Sequence, residues 1–120
     1  MLINRYILPP ETKFVPTTFV EGRNLKLTCT ISAGSYSSVT LLKVTGDGSV
    51  SLAVFNNNGT NQVLTPRGTV SYSFADSGLN LHLDLDNAGC HDNGTYACRH
   101  DNTQTSYGDA IVDSEFAYVL

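Results

Sequence analysis

The sequence has no tryptophan, one methionine and few charged residues, which make up 15% of its 120 positions. Its apolar runs are only a few residues long, too short to cross a bilayer. Eleven acidic against seven basic side chains give a formal charge of -4, and lysine and arginine form no local cluster. That charge has the wrong sign for a phosphate backbone, so we expect no nucleic-acid partner.

A hydrophobic content of 41% over 120 residues is typical of one folded domain, and we expect a single domain over 1–120. Short runs rich in valine, isoleucine, threonine and aromatic residues alternate with turn residues, and no helix of useful length is indicated. The sequence therefore predicts an all-β chain with strands at 6–8, 14–20, 24–31, 39–44, 50–55, 70–74, 79–85, 94–100 and 110–120.

Alternation assigns a face to each predicted strand. Leucines at 79, 81, 83 and 85 share one side of a strand, while His82, Asp84 and Asp86 lie on the other. The segment from Leu25 to Ile31 shows the same period. Because each strand has only one apolar face, two sheets must cover each other, which predicts a β-sandwich.

Two segments resemble the signature of an immunoglobulin domain. Residues 92–98, DNGTYAC, match the family's D-x-G-x-Y-x-C pattern at strand F, and residues 20–29, VEGRNLKLTC, resemble the approach to the strand B cysteine. The two cysteines are 69 positions apart, which leaves room for strands C′ and C″. The chain is thus similar to the V-type branch, a Greek-key sandwich of two antiparallel sheets.

The resemblance implies specific partners for several residues. It pairs Cys29 with Cys98 in a disulfide between the sheets, makes Tyr96 a tyrosine corner, and pairs Arg67 with Asp92. A third cysteine, Cys90, falls at a turn. Two alternatives stay open for it: a bridge to a cysteine outside these residues, or a half-buried, inert thiol.

Two departures narrow the resemblance. The strand C tryptophan is absent, so we expect Leu41 against the disulfide, with Phe19, Phe74 or Phe116 filling the vacated space. Residues 107–111 also lack the aromatic-Gly-x-Gly bulge of antigen receptors. The chain therefore resembles a diverged V-type domain of an invertebrate recognition or allorecognition receptor.

Other residue clusters indicate no chemistry. His82, Asp84 and Asp86 are explained by a strand that keeps polar side chains in solvent, so we expect no metal or cofactor. Cys90 and His91 are consecutive in a turn and point apart, so we expect no enzyme. Asn58 and Asn93 each begin a triplet for N-glycosylation, which is modest support for secretion.

What remains is a binding surface on the GFCC′C″ sheet. Strand parity turns a set of apolar residues outward, with polar residues at the rim, and such patches mark protein interfaces. We expect its centre at Leu42, Val44 and Phe55 and its rim at Arg99, Asp101 and Tyr107.

These features predict an extracellular recognition or adhesion domain of a cell-surface receptor, attached to a membrane only through a segment outside these residues. Its partner is a protein, with a second copy of the chain as one candidate. Two alternatives remain. One is a carbohydrate-binding module, because Arg99 stands three residues after Tyr96, where sialic-acid-binding immunoglobulin-type lectins place their carboxylate-binding arginine. The other is a structural spacer.

Overall fold

The computed structural model describes residues 11–32, 37–75, 78–101 and 104–113. Apart from one 3-10 turn at Cys90–Asp92, the regular structure of these residues is β-strand, and none of it is a helix suited to crossing a membrane. The strands are β1 Thr12–Val15, β2 Thr17–Phe19, β3 Leu25–Ser32, β4 Ser38–Thr45, β5 Gly48–Asn56, β6 Asn61–Val63, β7 Gly68–Ala75, β8 Gly78–Leu85, β9 Gly94–His100 and β10 Gln104–Val112.

The strands form two sheets, which confirms the predicted sandwich. A four-stranded sheet has the order β1-β3-β8-β7, and a six-stranded sheet has the order β2-β10-β9-β4-β5-β6. Neighbouring strands are antiparallel except β2 and β10, which pair in parallel. The predicted strand 14–20 is in fact two strands in different sheets. Pro16 separates them, since proline has no N–H to donate and interrupts a ladder.

The predicted and observed strands differ or cannot be compared at three other places. The predicted strand 6–8 lies outside the described residues. The last strand begins at Gln104, earlier than the predicted start at 110. β6 was missed, because its Asn-Gln-Val sequence carries no alternating apolar signal.

The core follows the alternation that the sequence shows. Every second residue of β3 from Leu25 to Ile31 is buried, and β8 turns Leu81, Leu83 and Leu85 to the same interior. The two strands pair in register, Leu25 with Leu85 and Cys29 with Leu81. The four-stranded sheet therefore presents one continuous apolar face to its partner sheet.

A disulfide joins the sheets at the centre of this core. Cys29 of β3 is bonded to Cys98 of β9 across a Cα–Cα distance of 5.9 Å, and both residues are fully buried. In the loop-entropy account, closing a loop of this length stabilises the folded state by about 4 kcal/mol. Leu41 on β4 is also fully buried and pairs with Cys98, so an aliphatic side chain lies where the family has its indole.

The aromatic residues that complete the core differ in part from those expected. Phe19 is buried, but Phe74 is 81% exposed, and Phe116 lies outside the described residues. Phe14 and Phe55 are buried in their stead, and the Phe14 ring stacks on Tyr96 with 5.5 Å between centroids. Phe74 is exposed because β7 is an edge strand, where a side chain on the interior side overhangs the core.

A hydrogen-bonded ion pair closes one end of the sandwich, as the resemblance implied. Arg67 holds Asp92 with two bonds, Nη1 to Oδ1 at 3.1 Å and Nη2 to Oδ2 at 2.8 Å. The Gly89 N–H donates to the same carboxylate at 2.9 Å. The Tyr96 hydroxyl donates to the Asp92 carbonyl oxygen at 2.6 Å, which makes it the expected tyrosine corner.

These contacts set the charge state of Asp92. Burial by itself raises the pKa of this carboxyl group, but the hydrogen bonds from Arg67 and from the Gly89 N–H outweigh burial and hold the pKa below its ordinary value. A depressed folded-state pKa stabilises the fold above the unfolded pKa, and that contribution is lost as the pH falls through the folded value.

We expect Arg67→Gln to weaken the fold by on the order of 2 kcal/mol at neutral pH, because the buried carboxylate keeps only its backbone donor. Urea unfolding of the variant should also show less loss of stability as the pH falls below about 3.8, the ordinary aspartate value.

Arg23→Gln is the matched control, since Arg23 is exposed. Equal stability of the two variants across this pH range would contradict the role assigned to the Arg67–Asp92 pair.

Candidate functional site

The outer face of the six-stranded sheet brings together several of the residues predicted to bind a partner. Leu42 on β4 lies opposite Ala97 on β9, and Ala97 lies opposite Tyr107 on β10. These three residues form one row across the sheet, on the side away from the disulfide. We call this surface the outer face.

Leu42 lies on the predicted side of the sheet, but the expectation that it is exposed is wrong. It is 4% exposed and Ala97 is fully buried. The physical reason is position in the sheet: β9 and β4 are the two central strands, with β10 and β5 on either side. These neighbouring strands leave little of the Leu42 and Ala97 side chains exposed to solvent. The apolar centre of the outer face is therefore closed to a partner.

Phe55 does not belong to the outer face, and the prediction that it points outward is wrong. It pairs with Val39, which is fully buried, and is itself 3% exposed in the core. The register shifts between Leu41 and Leu42, whose partners are Ala53 and Ser51, so Leu52 is an extra residue on β5. Counting on from Leu52, the half-buried Val54 is the residue that faces outward, opposite Thr40.

Asp101 is held by the fold. Its Oδ1 accepts hydrogen bonds from the backbone N–H groups of Ser37 at 2.8 Å and Ser38 at 2.9 Å, and its own backbone is left-handed with φ of 48°. The carboxylate therefore anchors the start of β4. An oxygen already committed in this way is a poor candidate for setting specificity at a rim.

Tyr107, Val44 and Arg99 remain as residues that a partner can reach. Tyr107 is 65% exposed, and Val44 and Arg99 are half-buried. The Arg99 Nε atom is buried and has no hydrogen-bond partner among the described residues. Because Nε is buried, an acceptor brought by a ligand can reach only the exposed part of this half-buried side chain.

The sequence analysis missed one exposed apolar residue of the outer face. Ile111 on β10 is 50% exposed and pairs with Thr18 of β2. Its neighbour Ala110 is buried, so alternation along Tyr107, Asp109 and Ile111 was the available signal. It went unused because the strand was placed too late in the chain.

The opposite sheet has an outer surface that is polar along β3, β8 and β7. His82 lies at its centre, with Nδ1 3.0 Å from the Thr28 hydroxyl and Nε2 3.1 Å from the Ser73 hydroxyl. Partial burial, and then the charge of Lys26, lowers the pKa of His82 below its ordinary value. The ring therefore links three strands as a neutral group. Across the described ranges, no three histidine, cysteine or acidic residues group as metal ligands.

Cys90 is exposed and free among the described residues, so the half-buried alternative for this thiol is wrong. Its sulfur lies 3.7 Å from a Glu21 carboxylate oxygen, while the His91 ring lies 3.6 Å from Asp92. The two residues thus contact different neighbours. A bridge from Cys90 to a cysteine outside these residues stays a prediction.

Comparison with known proteins assigns the family and the fold. The family described as immunoglobulin V-set domain matches residues 14–112. Similar solved structures, all with TM-scores of 0.62 or 0.63, are murine CRIg, Dpr1 IG1 bound to DIP-eta IG1, and the RIG-5 IG1 homodimer. Their sequence identities are 16%, 21% and 18%, covering 87%, 92% and 88% of this chain and 98%, 100% and 99% of theirs. No curated protein matches the sequence.

We expect Leu42→Asp to destabilise the domain by about 3 kcal/mol or more, because the substitution buries a carboxylate with no partner. Tyr107→Asp, in the same row of the sheet, should change the free energy of unfolding by about 0.5 kcal/mol or less, since the residue is mostly in solvent.

Chemical denaturation of both variants measures the difference. If Leu42→Asp were as stable as the unsubstituted protein, the centre of the outer face would be open to solvent after all.

Proposed function

The chain belongs to the immunoglobulin V-set family, and we propose that it acts as a single extracellular recognition domain, over 1–120, that binds a protein through the outer face of its six-stranded sheet. The proposal assigns binding without catalysis. Its central residues are Tyr107, Ile111 and Val44, with Arg99 as the charged group beside them. In family terms, this is the GFCC′C″ sheet.

The observation that carries the proposal is the difference between the two sheet surfaces. On the four-stranded sheet, strands β3, β8 and β7 turn polar side chains outward: Lys26, Thr28, Thr30, Asn80, His82, Asp84, Ser71 and Ser73. On the six-stranded sheet, Tyr107 and Ile111 are at least half exposed above a dry centre at Leu42 and Ala97. Aromatic and aliphatic groups exposed over a well-packed floor are typical of the centre of a protein interface.

An extracellular location is supported by the buried Cys29–Cys98 bond, since disulfides persist in oxidising compartments. Two of the similar structures are assemblies of immunoglobulin domains: Dpr1 IG1 bound to DIP-eta IG1, and the RIG-5 IG1 homodimer. They support a second immunoglobulin domain as the partner class.

A second copy of this chain is our preferred partner, in the setting of an invertebrate cell-recognition receptor. In a two-fold symmetric dimer, the outer face of one chain would contact the outer face of the second copy. An interface of one such module, on the order of 1,200 Å² or less, gives weak binding that a cell surface strengthens by avidity.

We expect Tyr107→Asp to abolish aggregation of beads coated with the protein, because it places a charge in the centre of the contact while leaving the core untouched. Tyr72→Asp is the matched control: Tyr72 is 60% exposed, close to the 65% of Tyr107, but belongs to β7 of the other sheet.

Thermal melting should show both variants folded. Aggregation that survives Tyr107→Asp but is lost with Tyr72→Asp would move the binding surface to the β7 edge and contradict the proposal.

A second candidate function rests on Arg99, a half-buried cationic residue of the outer face. A guanidinium that pairs with a carboxylate through two N–H groups is a common way to hold an acidic sugar, and the half-buried Arg99 presents the exposed part of such a group on the outer face. This observation favours carbohydrate recognition of the sialic-acid type. The Cys29–Cys98 bond speaks against it, because the lectins that Arg99 resembles rearrange their disulfide.

A glycan array tests this candidate. If it holds, the protein binds carboxylated glycans, Arg99→Ala loses that binding by on the order of tenfold or more, and Arg23→Ala, at an exposed arginine outside the strands, keeps it. Binding of neutral and acidic glycans alike would exclude the role of Arg99. A protein that neither aggregates beads nor binds glycans would behave as a structural spacer.

A further inference from the structure

Two aromatic rings form an exposed pair at the edge of the four-stranded sheet. Tyr72 is 60% exposed and Phe74 is 81% exposed, and their rings meet edge to face with 6.0 Å between centroids. Both are on β7, an edge strand. Apolar area of this size in solvent is unfavourable unless something covers it. The proposed recognition surface is on the other sheet, so a partner bound there does not cover these two rings.

The pair belongs to a groove that runs between the two sheets. Tyr72 pairs with Leu81 and Phe74 with Leu79, so both rings are on the interior side of their sheet. The edge strand of the other sheet, β6, is only three residues long. The result is an open groove of about 190 Å³, lined on one side by Tyr72, Phe74, Leu79 and Leu81 and on the other by Phe55, Asn56, Asn57, Gly59 and Asn61.

The N-glycosylation triplet at Asn58 lies beside this groove, and Asn58 itself lines an adjoining depression with Ser37, Asn56 and Asn57. It occupies the turn between β5 and β6, and its neighbours Asn57 and Gly59 line the groove. Asn58 is exposed, and its Oδ1 accepts a hydrogen bond from the Thr60 N–H at 2.9 Å. The amide nitrogen, which is the atom that takes a sugar, has no partner among the described residues.

The second triplet, at Asn93, is built into the sheet. Its Oδ1 accepts a hydrogen bond from the Val112 N–H at 2.8 Å, and the Thr95 hydroxyl donates to Asp109 at 2.9 Å. Both side chains that define this triplet therefore serve β9 and β10. Modification at Asn93 would leave Oδ1 in place, but the side chain that carries the sugar is fixed against the end of β10, whereas the Oδ1 bond of Asn58 lies within its own turn.

We propose that Asn58, and not Asn93, carries an N-linked glycan whose first sugar packs on Tyr72 and Phe74 and fills the groove. In the modification step, the Asn58 amide nitrogen bonds to C1 of the N-acetylglucosamine of a lipid-diphosphate-linked oligosaccharide. The bond from C1 to the phosphate oxygen breaks, the lipid diphosphate leaves with the electron pair, and the nitrogen loses one proton.

The groove offers both kinds of contact that a sugar uses. The C–H face of a pyranose ring packs on exposed aromatic rings, and its acetamido and hydroxyl groups exchange hydrogen bonds with side-chain amides such as that of Asn61. Attachment beside the groove makes this packing intramolecular, which raises the effective concentration of the sugar to the point where weak contacts form. A free peptide or a second copy would lack that advantage.

This inference rests on the proposed extracellular function, because the modification occurs only on the secretory route. It also deepens that function. A glycan in the groove covers the β6–β7 edge of the sandwich and leaves the outer face around Tyr107 free. Binding is thereby directed to one sheet, and edge-to-edge association through β7 is blocked.

The test begins with secretion from a eukaryotic host and mass spectrometry of the peptides. We expect a glycan at Asn58, its loss in Thr60→Ala, and its retention in Thr60→Ser, which keeps the triplet. Thr60→Ala is a mild change, since Thr60 is exposed and the substitution removes only its hydroxyl and one methyl group. An unmodified Asn58, or modification at Asn93, would overturn the site assignment.

Packing on the rings is tested by a double-mutant cycle of Thr60→Ala with Phe74→Ser. We expect the glycan to raise the melting temperature by about 4 °C in the original background, the shift that an aromatic contact gives in a domain of this size, and by about 1 °C or less in Phe74→Ser. An equal rise in both backgrounds would overturn the packing.

Bead aggregation separates this inference from the proposed function. If a protein with an unmodified Asn58 aggregates beads, the glycan proposal is overturned and the proposed binding function is supported. If a protein that carries the glycan fails to aggregate beads, the binding function is overturned and the glycan proposal is supported. Thr60→Ala should aggregate beads as well as Thr60→Ser does.

Discussion

The bond between Cys29 and Cys98 is the constraint on which the rest of the structure depends. It joins the central strand pair of one sheet to the centre of the other and so fixes the separation of two surfaces that are each apolar on one side only. Once Cys98 faces inward, alternation along β9 turns Ala97 and Arg99 outward. The covalent link inside the core therefore decides which residues of β9 a partner meets.

Several smaller side chains take the place of the tryptophan that is absent from the centre of the core. Leu41 lies against the disulfide, and Phe14 stacks on Tyr96, whose hydroxyl in turn holds the Asp92 carbonyl oxygen. Burial raises the pKa of Tyr96 to about 12, so the phenol stays a donor throughout the physiological range. The Arg67–Asp92 pair completes this end of the sandwich. Aliphatic packing at the centre and the hydrogen-bonded ion pair at the end of the sandwich together replace the missing tryptophan side chain.

The surface divides into three parts with different chemistry. The outer side of the four-stranded sheet is polar along β3, β8 and β7, and His82 links these strands through two hydroxyl groups. The outer face of the six-stranded sheet combines a dry floor with exposed Tyr107 and Ile111. At the edge between the sheets, Tyr72 and Phe74 stand over a groove. The exposure of each part follows from where its strands lie in the sheet. A central strand has a neighbouring strand on each side, whereas an edge strand has a neighbour on one side only.

The sequence by itself determined the sandwich through alternation, and its resemblance to an immunoglobulin domain implied the pairing of Cys29 with Cys98 and of Arg67 with Asp92, because alternation and a specific motif are local and survive divergence. It also placed Leu42 on the correct side of its strand. Only the tertiary structure decided how much of Leu42 is covered, that Phe55 is buried in the core and that Phe74 is not. Alternation reports the side of a strand on which a residue lies, whereas exposure depends on the neighbouring strands and on bulges such as the one at Leu52, which are set by contacts distant in the chain.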